Sequence, residues 1–552
     1  MAVIEVNGVA YAHPGGDELF ADVSFRIGSG KHAALVGANG IGKSTLFGVI
    51  TGELAAVEGN ATTDGSVARM PQAIGVGEAG AHTTVRQLLA EFAAPRVAAA
   101  HLALEAAEKD NDDAPSDSTG IAVAEAYAEW GEVGGYQEEA RWDACCDAVL
   151  REGLATAGDR PINELSGGER KRLVLESLFA SDVEILLLDE PDNFLDLVGK
   201  RWLERQINAT KKTVLVISHD RELLTAVGNA VVTLEGFGAW VHPGSFATYD
   251  EARAARNADL GKQLERWETE EKRLRDFYRT MKARAATSDT NAGRADAAES
   301  RWRRFVAVGP PPPPPPERSI KMRLKGQRSG DRALMIEHLE IVGLTEPFSV
   351  ELFRGDRVAL LGPNGSGKSH LLRLLGGDHS VVVDGGWRAG ASVKIGLFHQ
   401  TDDVAWLTGR SPLEAIGSLH LTDGEAMGAL ARYGLEDCAR RPYETMSGGQ
   451  KARLQVLGLE LQGVNFLLLD EPTDNLDMGS AAALEEALSD FNGTVLCVTH
   501  DRWFMKAFDR YLVFDHDCSV KEVLDLDTAL HLVTLDVSYP VQRSAVKDLT
   551  HR

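Results

Sequence analysis

The sequence predicts an α/β protein in which one unit occurs twice, with a pair of long helices between the copies. Three observations predict it. The stretch from Leu165, LSGGERKRLVLESLFASDVEILLLDEPDNFLD and then VLVISHD, recurs from Met446 as MSGGQKARLQVLGLELQGVNFLLLDEPTDNLD and then VLCVTHD. The copies run in register: Ser166 to Glu190 and Ser447 to Glu471 are both 24 residues, and Glu190 to His219 and Glu471 to His500 are both 29. Such self-similarity decides the fold before any single element does. Ahead of each copy, an apolar strand pattern runs into a G-x-x-x-x-G-K-S loop and then a helical pattern. Between the copies, residues 250–308 carry apolar side chains at heptad spacing.

The 552 residues are enough for two large cores, and 44% of them are hydrophobic, so the chain is globular and not disordered. Its longest apolar runs, in VEILLLDE and VNFLLLDE, are about six residues each, against about 20 for a membrane helix. No charged-then-apolar leader opens it. Five cysteines without metal-ligand spacing fit a reducing cytoplasm. The net charge of −24 argues against a nucleic-acid partner until its distribution is considered. Residues 251–330 hold 19 Lys and Arg against 11 Asp and Glu, a balance of +8 that leaves −32 on the rest. One basic segment on an acidic protein points to a polyanion.

In order along the chain, AVIEVNGVAY, FADVSFRI and KHAALVG read as strands. The third runs into Gly37-Ala38-Asn39-Gly40-Ile41-Gly42-Lys43-Ser44-Thr45, with the helical LFGVITGEL behind it. In such a loop backbone N–H groups wrap the β-phosphate, Lys43 reaches the β and γ oxygens, and Ser44 ligates Mg²⁺. Tyr11, 26 residues upstream, is an aromatic placed to stack on an adenine. Gln72 ends VARMPQ and its twin Gln400 ends GLFHQ, 35 and 38 residues past the first glycines of their loops. Each is expected to reach the Mg²⁺ or the attacking water. Residues 96–154 read as Ala- and Glu-rich helix broken by NDDAPSDSTG. This is an insertion, because Gln72 to Ser166 spans 94 residues and Gln400 to Ser447 only 47.

Ser166-Gly167-Gly168 opens a helix whose N–H groups and dipole favour an anion. The buried strand VEILLLDE delivers Asp189 to Mg²⁺ and Glu190 to the γ-phosphate side, where it can polarise water. His219, ending TVLVISH, can sense the γ-phosphate.

Leu260, Leu264, Trp267, Leu274, Tyr278 and Met281 form one apolar stripe, and Ala295, Ala298, Trp302 and Phe305 a second, with a polar break at Thr287–Asn291. Two antiparallel helices are expected, the first about 38 residues from Thr248 and on the order of 57 Å long. They are expected to project, with Arg279, Lys282, Arg284 and Arg294 near the tip. Pro310–Pro316 reads as a polyproline II strut. The second copy then repeats the parts: Gly362, Asn364, Gly365, Gly367, Lys368, Ser369 and His370 in the loop, Ser447-Gly448-Gly449, Asp470, Glu471 and His500. About 35 residues of short strands follow, with no basic tail.

Two phosphate loops, two SGG signatures, two LLLDEP strands and two S/T-H-D switches make the chain resemble an ATP-binding-cassette (ABC) ATPase with both cassettes in one polypeptide. Directly joined cassettes, a hairpin between them, and the switches SHDRELL and THDRWFM resemble the ABC-F family. Within it, GPPPPPPPER and the GKSHL of the second loop resemble actinobacterial macrolide and lincosamide resistance proteins. The resemblance implies two P-loop ABC-type nucleotide-binding domains joined by a long antiparallel α-helical hairpin linker. The expected boundaries are 1–247 with its insertion at about 96–154, 248–318, and 319–552.

The resemblance also implies ATP with Mg²⁺ sandwiched between cassettes of a monomer. One site would join Lys43, Ser44, Asp189, Glu190 and His219 to Ser447-Gly448-Gly449. The other would join Lys368, Ser369, Asp470, Glu471 and His500 to Ser166-Gly167-Gly168. It implies a cytoplasmic protein that binds the ribosome (rRNA and tRNA) through the hairpin, in a translation-factor or resistance role. Two other functions compete. A transporter's tandem ATPase subunit would leave the hairpin without a job, and a DNA-repair ATPase should carry zinc Cys-x-x-C pairs, of which the sequence has none. The usual DEPTNHLD is DEPDNFLD around Glu190 and DEPTDNLD around Glu471. That departure implies altered coupling between the sites.

Overall fold

A computed structural model of the chain describes residues 2–16, 18–74, 83–285, 292–315, 320–326, 328–399, 404, 406–534 and 546–548. They form two units, Met1–Val241 with Ser319–Arg552, and His242–Arg318. The first unit contains both copies of the repeat.

Each copy has a mainly parallel sheet and a three-stranded antiparallel sheet. In the first copy the large sheet runs Val67–Met70, Ile185–Asp189, Thr213–Ile217, His32–Val36, Val231–Leu234, Ala239–His242. Ile185–Asp189 and Thr213–Ile217 are buried at every position, which is why they read as continuous apolar runs. The antiparallel sheet behaves otherwise: in Val3–Ala12, Ile4 and Val6 are buried and Glu5 and Asn7 exposed, the alternation of a half-solvated strand. The second copy repeats the arrangement with Ile395–Phe398, Phe466–Asp470, Thr494–Val498, Arg357–Leu361, Arg510–Phe514, Val520–Val523 and Val546–Asp548.

This topology positions the chemistry. His32–Val36, Ile185–Asp189 and Thr213–Ile217 are adjacent and parallel. Their carboxyl ends therefore deliver the glycine loop, the Asp189-Glu190 pair and His219 to one edge, where open α/β sheets bind ligands.

The insertion forms three helices, Pro95–Asp113, Asp117–Glu132 and Gly135–Leu150. The expected break is much shorter than NDDAPSDSTG. The first helix runs through Asp113, and Ser116 caps the second by a reciprocal bond with Thr119, which leaves only residues 114–116 between them. Likewise, the segment after the last long strand is not all strand, since Leu526–Thr534 is a helix.

The unit His242–Arg318 contains helices Tyr249–Ala285 and Ala292–Val308, of 37 and 17 residues. At 1.5 Å per residue the longer one spans about 55 Å. The two heptad stripes meet: Trp267 stacks on Phe305 with ring centroids 5.4 Å apart, Tyr278 stacks on Trp302 at 5.7 Å, and Leu274, Ala295 and Ala298 are buried. Trp302 Nε1 also donates to Glu271 at 2.8 Å. The expected break at Thr287–Asn291 lies outside the described residues.

Candidate functional site

Two cavities, of about 370 and 300 Å³, are each lined by residues from both copies. The first gathers Asn39, Gly40, Gly42, Lys43, Ser44, Thr45, Gln72, Glu190 and His219 with Ser447, Gly448 and Gly449. The second gathers Asn364, Gly365, Gly367, Lys368, Ser369, His370, Glu471 and His500 with Ser166, Gly167 and Gly168.

Each loop is built for close approach. Gly42 caps helix Lys43–Thr51 at φ 100°, and a Cβ there would come within 2.7 Å of Leu19. Only glycine takes that backbone without strain. Lys43 Nζ donates to the carbonyls of Gly37 and Ala38 at 2.9 and 3.2 Å, and Lys368 Nζ to those of Gly362 and Pro363 at 2.9 and 2.7 Å. Gly37 and Gly362 thus hold the lysines. Burial lowers both ammonium pKa values against the pull of nearby carboxylates, that of Lys368 to about 8.

Behind the loops, Ser369 Oγ donates to Asp470 Oδ1 at 3.0 Å. Asp189 Oδ2 is buried with no hydrogen-bond partner. The Asp189 carboxylate is hydrogen-bonded with Ser44, which lines the first cavity, and its second buried oxygen is free, a donor set that suits a hard divalent cation.

Glu190 and Glu471 each follow a buried strand in left-handed backbone, φ 47° and 46°. Strain of this kind persists only where surroundings enforce it. The Glu190 and Glu471 amides donate to Ile217 and Val498 on the neighbouring strand at 2.8 and 3.0 Å. Glu190 Oε2 accepts from Gln72 Nε2 at 2.5 Å and Asn193 Nδ2 at 2.7 Å. His219 Nε2 lies 3.6 Å from Glu190 and His500 Nε2 3.5 Å from Glu471. Neither contact is an ion pair: burial and Lys43 push His219 down to about 4, and burial with Lys368 and Lys200 lowers His500 well below its ordinary value. Both rings are neutral near pH 7.

The signature serines cap the helices Gly167–Ala180 and Gly448–Gln462, Ser166 with Glu169 and Ser447 with Gln450. Their glycines admit the opposite copy. A Cβ on Gly449 would lie 3.1 Å from Asn39 Nδ2, and Asn364 Nδ2 donates to Phe194 O at 3.2 Å beside Gly168.

Tyr11 corrects one expectation. Its side chain is 7% exposed in the core of the antiparallel sheet, stacked on Phe20, and it does not line the cavity. His13, whose ring meets Tyr11 edge-on at 5.4 Å, lines it instead. An inward-facing strand position buries its aromatic, and the exposed one falls two residues later. Gln400 lies outside the described residues. Sequence reasoning missed Asp192, Lys200, Asp474 and Asn475, all of which line a cavity. The variant residues of the two Asp-Glu-Pro motifs were a signal for Asp192, Asp474 and Asn475, while Lys200 lies outside them and carried none.

A family model described as "ABC transporter" matches residues 20–193 and 345–474. The chain is 43% identical to a protein named "Antibiotic resistance protein" from Mycobacteroides abscessus, across 95% of this chain and 99% of that one. It is 30% identical to "ABC transporter F family member 4" of Arabidopsis thaliana, across 88% and 69%. Among solved structures, an archaeal ribosome recycling factor crystallised with a ribosomal stalk protein covers 92% of this chain and 87% of its own, at TM-score 0.54 and 18% identity, a likeness of fold.

Proposed function

Because the chain belongs to the ABC-F family of tandem ATP-binding-cassette proteins and is an ATP hydrolase, we propose that it acts on the ribosome, coupling ATP binding and hydrolysis to a translation or antibiotic-protection role. The observation that carries this is electrostatic. Residues 251–330 are basic by +8 on a chain whose remainder carries −32, and rRNA would repel that remainder. The name of the 43% identical relative supports the resistance role. Among the described residues no helix is long and apolar enough to cross a membrane, so a transporter role would need separate membrane subunits.

In this reading each cavity holds one ATP. Lys43 and Lys368 neutralise the β and γ oxygens, and the glycine loops donate backbone N–H groups to them. Ser44, Asp189 and Gln72, or Ser369, Asp470 and Gln400, would hold Mg²⁺, which would neutralise developing phosphate charge. Glu190 and Glu471 accept the proton of the attacking water. The neutral His219 and His500 donate to the γ-phosphate, and the signature N–H groups close from the other side. ATP then holds the cassettes together as a monomer, and hydrolysis releases them.

Arg279, Lys282, Arg284 and Arg294, all exposed, are the proposed rRNA contacts. Changing all four to Ala should weaken sedimentation with ribosomes and lower the salt slope of binding by roughly 0.7 to 0.9 per lost contact. Four Lys or Arg changed on the cassette surfaces should do neither. Equal losses from both sets would remove the hairpin as the contact. The Glu190→Gln, Glu471→Gln chain should stay on ribosomes in ATP, where the parent is released.

A further inference from the structure

Superposing the copies on their Asp-Glu-Pro motifs matches Asp192 with Thr473 and Lys200 with Ala481. The first copy therefore carries an acid–base pair where the second carries neutral residues. Asp192 and Lys200 are 4% and 6% exposed, and both line the Lys368 cavity and not the Lys43 cavity. Lys200 Nζ is 3.1 Å from Asp220 Oδ2. Asp220 follows the switch His219, and its other oxygen caps helix Arg221–Val227 by accepting from Glu222 and Leu223 N–H. From the second copy, Asp474 lines this cavity and the Lys43 cavity as well, and Asp501 holds the place of Asp220 in the other switch.

Burial alone would lower the Lys200 ammonium. The fields of Asp220, Asp192, Asp474 and Asp501 outweigh it and hold the pKa above its ordinary value. The converse holds for the acids: burial and Asp220 raise Asp501, and Lys200 opposes them. Arg502, paired with Glu204, is a second cation facing Asp220. One buried ammonium thus contacts Asp220 directly and shares the wall of the Lys368 cavity with Asp192 of its own copy and Asp474 of the other, while the field of Asp501 also reaches it. Removing the ammonium alone would leave these carboxylates uncompensated, whereas removing Asp192 with it would leave the local net charge unchanged.

We propose that Lys200 is a positioning residue that ties the two cassettes together at the Lys368 cavity, so that this site closes on ATP more tightly than the Lys43 site. The proposal rests on the reading of the two cavities as the ATP sites. The test measures binding of a fluorescent, non-hydrolysable ATP analogue to the full chain. Lys43→Ala leaves the Lys368 site to report, and Lys368→Ala leaves the Lys43 site. The Lys43→Ala chain should bind the analogue more tightly than the Lys368→Ala chain.

Adding Lys200→Met should weaken binding by about tenfold or more in the Lys43→Ala chain, and by less than about twofold in the Lys368→Ala chain. Lys200→Arg should keep the parental affinity. The neutral pair Asp192→Thr, Lys200→Ala copies the second cassette and should bring the two sites within about threefold of each other. Should Lys200→Met fail to fold, that pair carries the test alone. Equal affinities in the parent, equal losses at both sites, or an asymmetry that persists in the neutral pair would each overturn the proposal. Stoichiometry separates the two readings. If Lys43→Ala and Lys368→Ala chains each still bind two analogues, the assignment of the cavities falls, and the proposal with it.

Discussion

Glu190 and Glu471 occupy the same place in the repeat and have different neighbours. Glu190 accepts from two amides, Gln72 and Asn193. At the position of Asn193 the second copy has Asp474, which cannot donate when ionised. Burial raises both carboxyl pKa values. For Glu190 the Gln72 bond opposes the rise and Asp192 and Asp189 add to it; for Glu471 Asp474 and Asp470 add to it, the His500 amide and Lys200 oppose it, and the carboxyl is held well above its ordinary value. A carboxyl with a raised pKa takes up its proton at higher pH, so the ionised carboxylate, the proposed base, is lost sooner as pH falls. Glu190→Gln and Glu471→Gln should each slow turnover of their own site by a factor on the order of 10². The Glu190→Gln chain, working through Glu471, should also lose phosphate release at higher pH than the Glu471→Gln chain. His219, neutral above about pH 4, does not set that limb. Coincident acid limbs would show that the neighbours do not matter.

At the scale of elements, the hairpin rests on two aromatic stacks and few buried aliphatics. Trp302 both stacks on Tyr278 and donates to Glu271. Trp302→Ala should destabilise the helix pair by about 1 kcal/mol beyond lost area. Hydrogen exchange over residues 249–308 should quicken while the cassette strands hold, and unchanged protection there would refute the stack's role. The hairpin was legible because heptad spacing leaves its helices one way to bury Leu274, Ala295 and Ala298. The strand ends were legible for a related reason: continuous apolar runs mark strands buried on both faces, and the acids that end them must face the sheet edge. The left-handed backbone at Glu190 and Glu471 was not, since no residue type announces strain in a glutamate. Nor was the burial of Tyr11, because the register of Val3–Ala12 shifts along its pairing with Glu18–Ile27 and changes which face each residue takes. The Asp192–Lys200 pair reads in sequence as two unrelated surface charges.

For the molecule as a whole, the switch helices hold the cassettes by a reciprocal pair. Arg221 lies 3.9 Å from Glu485, and Arg502 pairs with Glu204, its repeat-equivalent partner. All four side chains are 13 to 25% exposed. Partly buried pairs that add independently would each contribute about 1 kcal/mol. Glu204→Ala with Glu485→Ala should therefore raise the ATP concentration needed for half-maximal hydrolysis several-fold, each single change giving a smaller effect, as read by steady-state phosphate release. A double variant with parental ATP dependence would mean the cassettes close without these pairs.

The cavities are divided between the cassettes, and this sets how genetic lesions combine. A lesion at Lys43 and one at Gly448 strike the same cavity, though they lie in different cassettes, and should be no worse together than the severer alone. Lesions at Lys43 and Gly167 share a cassette but disable both cavities, and should compound. Epistasis in a collection of null alleles would then sort by cavity, cutting across the boundary between the two halves of the gene.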